Sequence, residues 1–114
     1  MTVSYHKTAS LPSIELWLFD DDGTLIDFSS GYTFSLKIGN PGSAAILTKT
    51  SGISGAAGAG TEPSGTPNVT VAWDDAELSG ETPGPYTAQL TATATSGGKD
   101  RVFEFPFRIR DVIT

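Results

Sequence analysis

The chain has no cysteine and only one histidine, His6, among its 114 residues. The absence of cysteine excludes a disulfide framework, a thiolate zinc site and a cysteine nucleophile. A Ser-His-Asp triad or a histidine-rich metal site would have to be built around the single histidine near the N-terminus. We therefore expect no metal site and no bound cofactor.

Positive charge is scarce, because seven Lys and Arg residues stand against thirteen Asp and Glu residues, for a net charge of -6. This balance argues against a nucleic-acid partner, which requires a basic patch. No apolar run approaches the roughly 18 residues of a membrane-spanning helix. Residues 1–13 also lack the apolar stretch of a secretory signal. We expect no membrane partner and no export by the Sec route.

The chain is rich in residues that favour strands and turns, with thirteen Gly, seven Pro and many Thr. No stretch of ten or more residues has helical periodicity, and turn signals recur about every 8–12 residues. The sequence therefore predicts an all-β fold, a β-sandwich of about seven strands with one long Gly-rich loop at 51–67.

Three segments, 32–38, 86–94 and 102–110, alternate apolar and polar residues as half-buried strands do. Pro106 within the last segment indicates an edge position or a bulge, because proline donates no ladder hydrogen bond. The residues predicted on the core faces of these strands are Tyr32, Phe34, Leu36, Ile38, Tyr86, Ala88, Leu90, Ala92, Ala94, Phe103, Phe105, Phe107 and Ile109.

The remaining strands are predicted from shorter patterns. Residues 14–19 are apolar on both faces apart from one Glu, which predicts a central strand. Residues 45–50 predict a weaker strand, and residues 69–73 predict a strand with Trp73 in the core. Residues 74–80 fit one helical turn, with Asp74 as its N-cap and Glu77 three residues later.

An acidic segment, DDDGTLID at 20–27, follows the first apolar run. It resembles the first motif of haloacid-dehalogenase-type phosphatases, which implies Asp20 as nucleophile, Asp22 as general acid–base and a bound Mg²⁺. That family needs a parallel sheet with crossover helices, whereas the residues that follow alternate with period two. We therefore interpret Asp20–Gly23 as a hairpin turn with an acidic tip, which leaves weak Ca²⁺ binding open, and expect no enzyme.

The order of features along residues 14–112 resembles the immunoglobulin-like domains of minor tail proteins and upper baseplate proteins of tailed phages. The segments that carry the resemblance are LIDFSSGYTFSLKI (25–38), NVTVAWDDAEL (68–78), GPYTAQL (84–90) and VFEFPFRI (102–109). The resemblance implies an immunoglobulin-like sandwich without catalytic residues. It implies a multi-copy structural component of a tail tip or baseplate, localised to the virion after assembly in the host cytoplasm.

The partners expected on this basis are other virion proteins and copies of the chain itself. Charged residues make up 18% of the chain, below the roughly 25% of a typical domain, which favours surfaces that contact other proteins. Alternative functions are a capsid decoration protein and a carbohydrate-binding adhesion module that uses exposed aromatic residues and the 51–67 loop.

The expected domain organisation is an N-terminal arm, residues 1–13, followed by a sandwich domain, residues 14–114. The arm either orders on a neighbouring subunit or frays. Trp17 either packs on the second sheet or contacts a partner. The residues predicted for a partner interface are Tyr5, His6, Leu11 and Trp17.

Overall fold

The fold consists of two β-sheets that enclose one hydrophobic core. A computed structural model describes residues 3–6, 11–62, 64–74, 77–95 and 98–110. Within these ranges the chain forms strands and turns and no helix, so the predicted all-β class is confirmed. The strands are β1 (Val3–His6), β2 (Ile14–Leu16), β3 (Tyr32–Gly39), β4 (Leu47–Lys49), β5 (Ile53–Gly55), β6 (Val69–Val71), β7 (Gly84–Ala94) and β8 (Arg101–Arg110).

The larger sheet has the order β1-β8-β7-β3-β4, and the smaller sheet has the order β2-β6-β5. All neighbouring strands are antiparallel except β1, which runs parallel to β8. The described chain changes sheet four times, between β1 and β2, β2 and β3, β4 and β5, and β6 and β7. In the described part of the chain, a search for an apolar helix long enough to span a membrane found none.

The core faces follow the alternation of the sequence. Burial of each large side chain contributes about 1.5–3 kcal/mol relative to exposure, and both sheets supply such side chains to one cluster. Tyr32, Phe34, Tyr86 and Phe103 are half-buried and pack against that cluster. The buried core residues on the strands are Tyr5, Ile14, Leu16, Leu36, Ile38, Val69, Val71, Ala88, Leu90, Ala92, Phe105, Phe107 and Ile109.

The apolar run at 14–19 is not the central strand that its composition predicts. Only Ile14–Leu16 form a strand, and β2 is an edge of the smaller sheet. The backbone N–H of Leu18 donates instead to the side chain of Asn68, and the Leu18 carbonyl accepts from the N–H of Ile26 at 3.1 Å. The second half of the run therefore belongs to the acidic hairpin rather than to the sheet.

The N-terminal residues 3–6 are part of the larger sheet, which corrects the expectation of an arm for these four residues. β1 pairs in parallel with residues 107–110 of β8, because the outer edge of β8 offers backbone groups there that a strand can satisfy. Residues 7–10 of the predicted arm lie outside the described residues. β1 also brings the described strands to eight, one more than the sequence predicts.

Two local predictions concern Pro106 and the segment 74–80. Pro106 pairs with Thr87 of β7 and lies just before the residues of β8 that pair with β1, and its predicted edge position or bulge stays a prediction. In the segment 74–80, the N–H of Glu77 donates to the carbonyl of Asp74 at 3.2 Å. Residues 75 and 76 lie outside the described residues, so the helical turn stays a prediction. β5 lies within the Gly-rich segment 51–67.

Candidate functional site

Tyr5, predicted to contact a partner, lies in the core. Its ring makes edge-to-face contacts with Trp73 and Phe107 at centroid distances of 5.9 and 5.7 Å. Its hydroxyl donates to the carbonyl of Pro12, and burial raises the pKa of the phenol. The ring points inward because β1 joins the larger sheet, so Tyr5 is a packing residue and not an exposed contact residue in this fold.

The other three predicted interface residues lie in different environments. The backbone of His6 pairs with Arg110, and its side chain lies outside the described residues. Leu11 is half-buried against the core. Trp17, directly after β2, is half-buried, and its indole N–H donates to the carbonyl of Ala59 at 3.4 Å. A partner contact by Trp17 stays a prediction.

The acidic segment forms the hairpin turn that the sequence predicts. The N–H of Gly23 donates to the carbonyl of Asp20 at 2.9 Å, the N–H of Asp20 donates to the carbonyl of Thr24, and Phe19 pairs with Leu25 in antiparallel orientation. Gly23 adopts a φ of 86°, a value that glycine adopts without steric cost. The motif therefore sits in a turn followed by a glycine bulge, a common hairpin connection.

The carboxylates of this hairpin make structural contacts. Asp20 Oδ1 accepts from the guanidinium of Arg101 at 2.7 Å, which ties the hairpin to the start of β8. Asp22 Oδ1 accepts from the backbone N–H of Thr24, and Asp27 Oδ1 from Ser29. Among the described residues, no three His, Asp or Glu side chains come together as a metal site.

We expect Asp20→Asn to reduce the loss of stability in acid. The hydrogen bond from Arg101 and that from the N–H of Asp21 lower the pKa of Asp20. A carboxylate with a lowered folded-state pKa stabilises the fold at neutral pH, and that contribution disappears as the pH falls through the lowered value. Urea unfolding should show a difference between wild type and variant at pH 7 that shrinks as the pH falls through the lowered pKa of Asp20.

Arg101→Met provides the control for this prediction, since Arg101 is the largest cause of the shift. In that background, Asp20→Asn should change the pH dependence much less. Added salt should also shrink the wild-type difference, because the pair is solvent-accessible. An undiminished pH-dependent difference in the Arg101→Met background would show that the ion pair is not its source.

A buried ion pair links the larger sheet to the 74–80 turn. The Lys49 ammonium donates to both carboxylate oxygens of Glu77 at 3.0 and 3.2 Å, and only 3% of its side chain is exposed. It also lies 5.1 Å from the ring of Trp73, whose predicted packing against the core is confirmed. Glu77 Oε1 accepts from the N–H of Asp74, which is one half of the predicted capping arrangement.

Sequence reasoning missed the roles of Lys49 and Asn68. Asn68 is fully buried and its side chain bonds three backbone groups, the N–H and carbonyl of Leu18 and the carbonyl of Ile26. The one sequence pattern that could have indicated the burial of Lys49 is its position two residues after Leu47, which places both side chains on the same face of the weak strand predicted at 45–50. No pattern marks Asn68, because an Asn before a strand usually indicates a turn.

Among the described strands, β1 and β4 are the outermost strands of the larger sheet. β1 is flanked on one side by β8, and β4 is flanked on one side by β3. The β4 edge is uncharged from Ala44 to Thr48, and Ile46 is exposed beside it. Its one charged residue, Lys49, points inward to Glu77. This edge therefore lacks the outward lysine or proline with which many proteins block strand addition.

Comparisons of the chain with protein-family models, curated proteins and solved structures found no match.

Proposed function

We propose that the chain is a non-catalytic structural protein of a tailed-phage virion, present in several copies at the tail tip or baseplate, with an immunoglobulin-like sandwich as its fold. Its partners would be other virion proteins and further copies of itself. The proposal starts from the resemblance along residues 14–112 and gains support from the surface that the fold leaves open.

The observation that carries the proposal is the unguarded β4 edge. A strand at a sheet edge presents unpaired backbone groups, and a neighbouring protein can pair with them. An inward-facing charged residue at a sheet edge often prevents the addition of a strand, because the added strand would bury the charge. Lys49 is already buried and paired with Glu77, so an added strand at this edge buries no new charge.

Two of the segments that carry the resemblance, 68–78 and 84–90, also suit this proposal. Residues 68–90 contain β6, the segment 74–80 and the first part of β7. They include one of the connections between the two sheets, and the buried pair of Lys49 and Glu77 joins that connection to the edge strand β4. The resemblance and the open edge thus concern one physically connected part of the molecule.

We expect Ile46→Lys to reduce incorporation into particles without loss of folding. Ile46 is exposed, so the substitution should change the free energy of unfolding by no more than about 0.5 kcal/mol. An ammonium group buried without a partner at an interface weakens the free energy of binding by several kcal/mol. A change of this size corresponds to at least a tenfold loss of incorporation into particles. Immunoblots of purified particles from a complemented deletion phage measure this directly.

Val102→Lys is the matched control, since Val102 is an exposed apolar residue on β8, away from the β4 edge. It should leave incorporation unchanged. If both variants enter particles at the wild-type level, the β4 edge is not the contact surface.

The location is tested by immunogold electron microscopy of purified particles with antibodies raised against this chain. Label at the tail tip or baseplate is the expected result. Label over the head would assign the chain to capsid decoration instead. Absence of label from both intact and disrupted particles would overturn the virion proposal. Mg²⁺-dependent hydrolysis of a generic phosphate ester, abolished in Asp20→Asn, would contradict the non-catalytic part.

A further inference from the structure

A groove of about 510 Å³ lies on the outer face of the larger sheet. Its floor consists of outward side chains of β3, β4, β7 and β8, and its wall is the loop 40–45 that joins β3 to β4. None of the residues predicted for an interface lines it. Its volume falls within the roughly 300–1,000 Å³ of small-molecule sites.

The floor is a continuous row of polar side chains across four strands. Thr48 pairs with Lys37, Lys37 with Gln89, and Gln89 with Glu104. Because adjacent strands are about 4.8 Å apart, the backbones at Lys37 and Glu104 lie about 10 Å from one another across the row, and no ion pair joins the two side chains in the described part of the chain. None of these four side chains has a hydrogen-bond or ion-pair partner among the described residues, so their polar groups are available to a ligand.

The wall of the groove is held close to the sheet by Gly39. A Cβ at Gly39 would lie 3.1 Å from the Cα of Ala45, so a side chain there would be tightly packed against the loop. The N–H of Ser43 donates to the carbonyl of Asn40, and Gly42 has a φ of 81°. These contacts give the loop a defined shape beside the polar row.

The chemistry of the lining selects the class of ligand. Lys37 and Glu104 carry opposite charges, so the groove favours neither a strong anion nor a cation. Gln89 both donates and accepts, and the hydroxyls of Thr48 and Thr87 do the same. No aromatic or large aliphatic side chain lines the groove. The matching ligand is neutral, compact and rich in hydroxyl groups.

From this arrangement we propose that the groove binds a neutral saccharide, with Lys37, Gln89 and Glu104 as its main polar contacts. A sugar ring offers several hydroxyls that both donate and accept, which suits a row of alternating donors and acceptors. This site lies apart from the aromatic residues and the 51–67 loop considered in the sequence analysis. The proposal concerns the isolated chain and holds whether or not the chain is a virion protein.

The test is an NMR titration of the ¹⁵N-labelled chain with glucose, galactose, mannose, rhamnose, N-acetylglucosamine, lactose and maltose, with glycerol as a control. We expect at least one saccharide to shift amide signals of residues 37–48, 87–89 and 104. For a dissociation constant on the order of 1 mM, the shifts should approach saturation near about 10 mM.

Two pairs of variants show whether the groove residues cause the binding. Glu104→Ala should weaken binding about tenfold, the effect of one lost hydrogen bond to a charged group. Glu15→Ala is its control, an exposed Glu on β2 in the other sheet. Thr48→Val should weaken binding less, and Thr93→Val, an exposed Thr on β7 outside the groove, should leave it unchanged.

Three results would overturn the proposal. The first is the absence of groove shifts with every saccharide tested. The second is a response to glycerol as strong as the response to any sugar, which would indicate non-selective solvation. The third is equal weakening by Glu104→Ala and Glu15→Ala. The spectra of the free variants show directly that each one is folded.

Discussion

Asn68→Ala is expected to lower the free energy of unfolding by about 3–4 kcal/mol. The side-chain amide of Asn68 donates to the carbonyls of Leu18 and Ile26 at 2.8 and 2.9 Å, and its oxygen accepts from the N–H of Leu18 at 2.9 Å. Alanine would leave all three backbone groups without these partners. A loss of this size is a large part of the roughly 5–15 kcal/mol that stabilises a domain.

The effect should also be local to the acidic hairpin, because Asn68 joins both of its arms to β6. Amide hydrogen exchange in Asn68→Ala should therefore accelerate most at Leu18 and Ile26. Asn40→Ala is the matched control, since Asn40 is exposed in a turn, and it should cost less than about 0.5 kcal/mol. Similar denaturation midpoints for the two variants would refute the proposed role of Asn68.

Asn68→Asp separates hydrogen bonding from shape. The carboxylate has nearly the same size but cannot donate to the two carbonyls when it is ionised. Burial would raise its folded-state pKa, so the folded chain would hold its proton more tightly than the unfolded chain. Stability should then fall as the pH rises from acid to neutral. Urea unfolding at several pH values measures this, and a pH-independent cost would contradict it.

Glu77→Gln is expected to cost about 3 kcal/mol at neutral pH, because it leaves the buried ammonium of Lys49 without its counter-charge. The Gln side chain can still accept from the N–H of Asp74, so the turn keeps that contact. Lys49→Met should cost less, since Glu77 is more exposed than Lys49, at 18% against 3%. Chemical denaturation of the two variants measures the asymmetry.

The double variant Lys49→Met/Glu77→Gln completes the cycle. It should be markedly more stable than Glu77→Gln alone, because no buried charge is left unpaired. Additive losses in the double variant would show that the pair is not coupled. Since the pair joins the β4 edge to the turn before β7, Glu77→Gln should also lower particle incorporation under the proposed function.

Much of the fold was predictable from local patterns. The alternation in residues 32–38, 86–94 and 102–110 placed Leu36, Leu90 and Phe107 correctly in the core, because side chains on a strand point to opposite faces in turn. The acidic turn was predictable from Asp-Gly, whose glycine takes a positive φ. Both signals depend on residues close together in the chain, where sterics alone limit the choices.

The predictions that were wrong concern residues whose backbone groups bond to segments distant in the chain. Leu18 looks like a strand residue, but its backbone groups bond to Asn68, fifty positions away. Tyr5 looks like part of a free arm, but its strand pairs with β8, about one hundred positions away. Hydropathy cannot reveal such partners, because the energy of each contact depends on a segment that the local pattern does not contain.

The candidate surfaces show the same division. The predicted interface of Tyr5, His6, Leu11 and Trp17 required these side chains to be exposed. Tyr5 is instead buried, because β1 is a strand of the larger sheet. The polar groove was not predictable, because Lys37, Gln89 and Glu104 come from three strands and meet only through their register. Each of them alone resembles an ordinary exposed strand residue.

The sequence by itself determined that this chain is all-β, which strands are half-buried and where the tight turns fall, because period-two alternation and glycine conformations are local properties. Only the tertiary structure decided which strands lie at the edges, which polar residues are buried, and which side chains share the groove. Those outcomes depend on pairing between segments far apart in the chain. The free energy of each such pairing is determined only when the two sheets have packed together.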